Sequence, residues 1–196
     1  RPGFDVIAQG MSGFMDMQGD PNGDPVKSGV TIGDYVGAFN AYGAIVTALY
    51  YKKNTGEGQF IDISLLDGLI SIMTPMEGAA TLDLKPTRAG RHHNTLAPYG
   101  IYRSDKGDSV IIAAFSAGQW SKLCNAIGKP ELLEDERFLS IGSRAANIKD
   151  LEAILQGWLS SFDTIEEAIA ILDKAGVACC KIRSVNEVAH DPAMWD

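Results

Sequence analysis

The stretch that most constrains the fold is residues 28–54, SGVTIGDYVGAFNAYGAIVTALYYKKN, which predicts a loop that ends at Gly33 and continues into a long helix. Asp34 falls in the first turn of this helix, where unpaired backbone N–H groups and the helix dipole favour a carboxylate. Small residues recur on one helical face at Gly37, Ala41, Ala44 and Ala48. Because small side chains leave room for a neighbour, we expect another backbone to approach this face closely.

Asp34 admits two interpretations from these residues alone. The first is an ordinary helix cap, because aspartate is a favoured residue at the N-termini of helices. The second is a carboxylate that is held ionised as a nucleophile. The helix pattern is compatible with both.

Composition argues against several classes of function. The net charge of −8 argues against nucleic acid or an anionic membrane surface as the main partner, although it leaves room for a local basic patch that binds a phosphorylated ligand. No apolar run is long enough to span a membrane. The three cysteines include an adjacent pair, and no spacing typical of a metal site occurs. We therefore expect no disulfide framework, no metal and a reducing, cytoplasmic location.

The first part of the chain predicts helices around one strand. Residues 4–17 carry apolar side chains at helical spacing. The long helix is expected to end at Gly56, and residues 59–64 (QFIDIS) alternate apolar and polar side chains as a strand does. A capping box at Ser64 predicts a further helix over 65–73. The succession of helix, strand and helix indicates the α/β class.

The composition becomes polar and basic at residues 85–94 (KPTRAGRHHN), where we place a boundary between domains 1–85 and 86–196. Residues 99–103 and 109–115 flank a DKGD turn and predict a β-hairpin. The remaining predicted elements are helices at 117–128, 151–159, 165–174 and 184–189 and a buried strand at 177–182. The second domain is thus predicted to be a small α+β domain.

Five motifs follow one another along nearly the whole chain. They are DVIAQGMSG, SG-x-x-x-GD, K-x-TGEGQ-x-I-D-x-SL-x-D, G-R-x-x-N-x-x-APYG-x-Y and H-D-P. In this order they resemble the class III CoA-transferases, or CaiB/BaiF family, which includes formyl-CoA transferase, carnitine CoA-transferase and α-methylacyl-CoA racemase. Each motif is weak by itself, and the resemblance depends on their order.

The resemblance implies an α/β fold in which this chain covers only a central part of the family pattern. Residues 1–85 would be a partial Rossmann-like segment of the large CoA-transferase domain, and residues 86–196 would be the small α+β domain. In the family, two ring-shaped chains interlink as a homodimer. Most CoA contacts lie in a segment that precedes the matched region, so the isolated chain is expected to be inactive.

By the same resemblance, Asp34 matches the aspartate of the family's GD pair and would be the catalytic nucleophile. It would move CoA from an acyl-CoA to a carboxylic acid through an aspartyl anhydride and an aspartyl-CoA thioester, with no permanently bound cofactor. This chemistry requires an ionised carboxylate that is sheltered from water. Backbone N–H groups near Gly33 are candidates for stabilising the oxyanion. Tyr35 and Tyr42 are candidates for lining the acyl pocket, although packing in the core explains them equally well.

The second matched region is the loop over residues 90–100. Formyl-CoA transferase has consecutive glycines here, whereas this chain has Arg91, His92, His93 and Asn94. Arg88 and Arg91 could each meet a carboxylate or phosphate of the substrate, and the histidines and Asn94 could contact it. A solvated surface loop explains the same residues without any substrate.

Two alternatives to the transferase remain open at this level. One is a racemase-like isomerase, in which an aspartate and a histidine move an α-proton of an acyl-CoA. The other is a non-catalytic structural or assembly fragment of such an enzyme.

Overall fold

The computed structural model describes residues 3–83, 85, 87–88 and 90–195. The chain divides into two compact units, Arg1–Gly90 and Arg91–Asp196. The described residues are mostly helical, with one small antiparallel sheet. Among them, no helix is long and apolar enough to cross a membrane.

The described part of the first unit is helical. Its helices are α1 (Asp5–Met11), α2 (Ile32–Thr55), α3 (Leu65–Ser71) and α4 (Thr74–Leu82), with a 3₁₀ turn at Met15–Met17. Helix α2 ends as the sequence predicts, because Gly56 adopts a left-handed conformation (φ +79°) and donates its N–H to the Lys52 carbonyl at 2.8 Å. The long helix and its C-terminal signal are therefore confirmed.

Helix α2 is approached closely on its small-residue face, but only near its beginning. Of its residues, all of which the structure describes, Gly33 and Gly37 are the buried ones, and a Cβ at Gly37 would lie 2.5 Å from Leu65 of α3. Ala41, Ala44 and Ala48 are half-buried. The rest of the surface of α2 exposes large apolar side chains: Tyr35, Phe39, Tyr42, Ile45, Val46, Leu49, Tyr50 and Tyr51.

Two predictions for the first unit are wrong. Residues 59–64 form no strand, and Phe60 is 91% exposed. Alternating side chains make a strand only where a neighbouring strand accepts the backbone hydrogen bonds, and no described strand lies beside this segment. The helix predicted over 65–73 is also shorter, because it ends at Ser71 and a new helix with Pro75 in its first turn follows.

The second unit is an antiparallel sheet covered by helices. Its strands β1 (Tyr99–Arg103), β2 (Ser109–Ala113) and β3 (Ala178–Lys181) pair in the order β1-β2-β3, with Ile111 opposite both Ile101 and Cys180. The helices are α5 (Ala117–Ala126), α6 (Ile141–Ala146), α7 (Ile148–Ser160), α8 (Ile165–Lys174) and α9 (Val185–Ala189). Helix α7 packs against β1, and α8 packs against β3 and α5. The hairpin and helices α5, α7, α8 and α9 confirm the predicted elements, whereas α6 was not predicted.

The returning strand β3 was predicted to be buried, and this is wrong. It is an edge strand that pairs only with β2 among the described residues, and Cys180 is exposed while Cys179 is half-buried. The buried thiol of the chain is Cys124 in α5, where burial raises its pKa to about 12.

Arg144 of α6 is the largest fully buried side chain in the second unit. Its guanidinium donates hydrogen bonds to the carbonyls of Ala97 (2.7 Å), Phe138 (3.0 Å) and Phe115 (2.6 Å). The same group lies over the ring of Trp120, with its central carbon 5.0 Å from the ring centroid. One side chain thereby fastens three segments and supplies a donor to two buried carbonyl groups and one half-buried carbonyl group.

Replacement of this guanidinium tests its role in the core. We expect Arg144→Met to lower the free energy of unfolding by about 3 kcal/mol or more, because two buried carbonyls and one half-buried carbonyl lose their donor. Urea denaturation followed by tryptophan emission measures it, since Trp120, Trp158 and Trp195 all lie in the second unit. The control is Arg137→Gln, which breaks a surface ion pair with Asp135 and Asp150.

The control should lower the free energy of unfolding much less than Arg144→Met, because exposed ion pairs contribute little to stability. Equal losses in the two variants would contradict the assignment of Arg144 as the fastening residue.

Candidate active site

The N-terminus of α2 is held by a carboxylate from another helix. One oxygen of the buried Asp5 side chain accepts a hydrogen bond from the Gly33 N–H at 2.7 Å, and the other accepts from the Gln9 amide at 2.6 Å. Gln9 in turn accepts from the Ser28 N–H at 2.9 Å, so the loop before α2 is fixed as well. Thr31, at the N-cap position, makes no capping bond with its side chain. Asp5 therefore performs the capping role.

Asp34 lies in the first turn of α2 as predicted, but it does not cap the helix. Its side chain is exposed and makes no hydrogen bond or ion pair with a described residue. The shelter from water that the sequence led us to expect is absent from the described part of the chain. The N–H of Gly33 is also engaged by Asp5, so this donor is not free to stabilise an oxyanion. Tyr35 and Tyr42 are 57% and 70% exposed, and the described residues do not bury them in a core.

Arg88 has a structural environment within the first unit. Its guanidinium donates to the Gly23 carbonyl at 2.7 Å and to the Asp16 carboxylate at 3.1 Å, and only 16% of the side chain is exposed. These bonds tie the residue to the turn-rich loop after α1. The carboxylate that Arg88 meets here is thus one of the protein's own, and the described contacts include no bond between Arg88 and Asp34.

In the second unit, residues 91–93 are joined to β1 by backbone hydrogen bonds. The Ile101 N–H donates to the Arg91 carbonyl at 2.8 Å, and the His93 N–H donates to the Tyr99 carbonyl at 2.9 Å. Gly100 faces His92 in an isolated bridge, and a Cβ at Gly100 would lie 2.5 Å from the Arg91 oxygen. Only glycine fits at this position without moving the loop.

Arg91 and His92 converge on one carboxylate, that of Glu152 on α7. The guanidinium of Arg91 lies 2.6 Å from a Glu152 oxygen, and Nε2 of His92 lies 3.6 Å from the same oxygen. Burial lowers the pKa of His92, the nearby Arg91 lowers it further, and Glu152 opposes both effects. Sequence reasoning missed Glu152, because it stands among the helical residues of α7 far along the chain and belongs to no motif.

His93 and Asn94 have a different environment from His92. His93 is exposed, and its Nδ1 accepts the N–H groups of Thr95 and Leu96 at 3.2 Å each. This arrangement requires an unprotonated Nδ1 and fixes the tautomer of the ring. The ring also meets Tyr99 edge-on at 5.6 Å. Asn94 is exposed.

The comparison with known proteins decides the family. Residues 1–195 match the sequence model of the family described as CoA-transferase family III. This chain belongs to CoA-transferase family III. The resemblance drawn from the order of the five motifs is thereby confirmed.

Other members of CoA-transferase family III match along the whole chain. The succinyl-CoA:mesaconate CoA-transferase of Haloarcula hispanica is 33% identical over an alignment of 198 residues, which covers 100% of this chain and 48% of the relative. The succinate–glutarate CoA-transferase of Agrobacterium fabrum is 31% identical over 97% of this chain and 47% of its own. The crystal structure of a CaiB/BaiF family protein from Brucella suis superposes with a TM-score of 0.80 and 34% identity, covering 100% of this chain and 51% of that chain. The chain spans about half the length of these family members.

The cap on α2 can be separated from Asp34 by substitution. We expect Asp5→Ala to lower the protection of the Gly33 amide against hydrogen exchange by about 1–2 kcal/mol, because the amide loses its acceptor. Asp34→Asn should change it by no more than about 0.5 kcal/mol, since that side chain is exposed and unbonded. Amide exchange measured by NMR gives both values. A loss of protection in Asp34→Asn as large as in Asp5→Ala would contradict the assignment of the cap.

The tight approach at Gly100 gives a second test. We expect Gly100→Ala to cost about 1–3 kcal/mol, because the added methyl group overlaps the backbone at Arg91 and His92. Exchange of the Ile101 amide reports the change, since this amide donates to Arg91. The control is Gly118→Ala in α5, where nothing lies within 4 Å of an added Cβ. This variant should be neutral or slightly more stable.

Proposed function

We propose that this chain carries the nucleophile of an acyl-CoA:carboxylate CoA-transferase, and that Asp34 is the nucleophile. The main observation in support is that two carboxylates at the start of α2 have different environments. Asp5 is buried and satisfies the helix N-terminus, whereas Asp34 has no described partner and stands in the same turn with its lone pairs unused. Asp34 also belongs to the GD pair that the family pattern shares.

The proposed reaction starts with attack of an Asp34 oxygen on the thioester carbonyl carbon. The carbon–sulfur bond breaks, CoA leaves as a thiolate, and a mixed anhydride forms on Asp34. The thiolate then attacks the aspartyl carbonyl, which releases the donor acid and leaves an aspartyl-CoA thioester. The acceptor carboxylate displaces CoA from Asp34, and the thiolate returns to the acceptor's acyl carbon, which restores Asp34. No external base is needed, because each attacking group is already an anion.

This chemistry requires a dry site, and the described residues leave Asp34 exposed. An exposed anhydride reacts with water faster than with a dilute acceptor. We therefore propose that productive transfer needs a cover over Asp34 that the described residues do not supply, and that the chain by itself is inactive. In the same proposal, the first unit is part of the large CoA-transferase domain, the second is the small α+β domain, and the assembled enzyme is a homodimer.

The choice of substrates follows the names of the relatives. Two of them use succinyl-CoA or succinate together with a second dicarboxylic acid, mesaconate or glutarate. Succinyl-CoA as donor and a dicarboxylate as acceptor are therefore the substrates we propose to test first. Arg88, His93 and Asn94 remain candidate contacts in this proposal, with Arg91 and His92 the pair that the fold brings together.

Trapping of the acyl-enzyme tests the nucleophile. The polypeptide that the gene encodes is mixed with succinyl-CoA and quenched with hydroxylamine, and mass spectrometry is expected to find a hydroxamate at Asp34. Asp34→Asn should abolish the adduct and slow CoA transfer about 10³-fold or more. The matched control is Asp67→Asn, an exposed aspartate in the first turn of α3, which should keep the wild-type rate. Bound succinyl-CoA without any adduct at Asp34 would overturn the proposal.

A further inference from the structure

The Glu152 carboxylate is shared by two groups that differ in one property. Arg91 is always charged, whereas His92 carries a charge only when it is protonated. Arg91 holds the closer position, at 2.6 Å against 3.6 Å for Nε2 of His92. The 3.6 Å separation is too long for a hydrogen bond, so His92 stands beside Glu152 without bonding to it.

His92 has no hydrogen-bond partner for either ring nitrogen among the described residues. Its side chain is 14% exposed. The groups that face it are Glu152 from α7, Arg91 from its own segment and Tyr102 from β1. The Tyr102 ring lies 5.0 Å away, and its buried hydroxyl has no hydrogen-bond partner among the described residues. The negative charge of Glu152 is the charge that favours a proton on His92. Arg91 already pairs with that carboxylate.

Two effects of Arg91 act on His92 in the same direction. Its positive charge repels a proton on the imidazole, and its ion pair occupies the oxygen that an imidazolium would bind. If Arg91 turns to another anion, both effects disappear together. Glu152 is then left half-buried without a partner, which is costly unless a second cation replaces the first.

We propose that binding of an anion by Arg91 is coupled to uptake of a proton by His92, with Glu152 as the shared partner. The anion takes the guanidinium, a proton from solvent adds to Nε2 of His92, and the new N–H donates to Glu152. The charge at the site balances for one bound carboxylate group, because its single negative charge is matched by the added proton. The proposal rests on the proposed function to the extent that the anion is a carboxylate or a phosphate of the substrates.

The coupling predicts opposite shifts in two variants. In the 196-residue chain, the C–H signals of the imidazole rings are followed by NMR as the pH is varied. Arg91→Gln should move the midpoint of His92 upward, and Glu152→Gln should move it downward, because each removes one of the opposing charges. Arg91→Lys keeps the charge but not the guanidinium fork and should lie between wild type and Arg91→Gln. His190 serves as the internal control, since it does not pair with Glu152 among the described contacts.

Added anions test whether anion binding by Arg91 raises the protonation of His92. Succinate and inorganic phosphate are titrated separately, at constant ionic strength maintained with sodium chloride. Either anion should raise the midpoint of His92 in the wild type and lose this effect in Arg91→Gln. A response to succinate alone identifies a carboxylate subsite, and a response to phosphate alone identifies a subsite for the phosphates of CoA. An equal shift of His92 and His190, or an unchanged His92 in Arg91→Gln, would overturn the coupling.

These measurements stand apart from catalysis. Asp34→Asn should retain the full response of His92, because the coupling is proposed between Arg91, His92 and Glu152, which all belong to the second unit. Loss of the coupling with an intact adduct at Asp34 refutes this inference and leaves the transferase proposal standing. Retained coupling without any adduct at Asp34 refutes the transferase proposal and leaves this inference standing.

Discussion

The bond between the Asp5 carboxylate and the Gly33 N–H is the interaction on which the first unit depends. It satisfies an otherwise unpaired donor at the start of α2 and fixes α1 against that helix. Through Gln9 it also fixes the backbone at Ser28, and so the loop that leads into the helix. A single buried network therefore determines where the first turn of α2 lies. The direction of Asp34 follows from that turn, although Asp34 takes no part in the network.

In the second unit, a buried cation satisfies backbone acceptors, as the buried Asp5 satisfies a backbone donor in the first unit. Arg144 satisfies the carbonyls of Ala97, Phe115 and Phe138, which lie before β1, after β2 and before α6. Both units thus use a buried ionisable side chain to satisfy backbone groups at the ends of elements. Asp34 directly follows Gly33, whose N–H is bound by Asp5. The Arg91–His92 segment is held differently, by the hydrogen bond from the Ile101 N–H to the Arg91 carbonyl.

Sequence patterns predicted the elements whose signals are local. The end of α2 follows from Gly56, and the hairpin follows from two alternating runs around a DKGD turn. Contacts between distant residues left no such trace. Asp5 lies 28 positions before Gly33, and the only local sign of its role is a polar pair, Asp5 and Gln9, within one short helix. The strand expected at 59–64 failed for the same reason, since a strand is defined by a partner that the segment itself does not encode.

The long helix α2 is anchored at one end only. It has 24 residues, so it is about 36 Å long, and among the described residues it buries only Gly33 and Gly37. Regions with few buried contacts open locally at little free-energy cost, whereas regions tied into a core open only when the whole unit unfolds. We therefore expect the turns around Lys52 to open more readily than the first turn, which is tied to Asp5. The Asp34 carboxylate therefore lies at the end of α2 that is tied to the rest of the first unit.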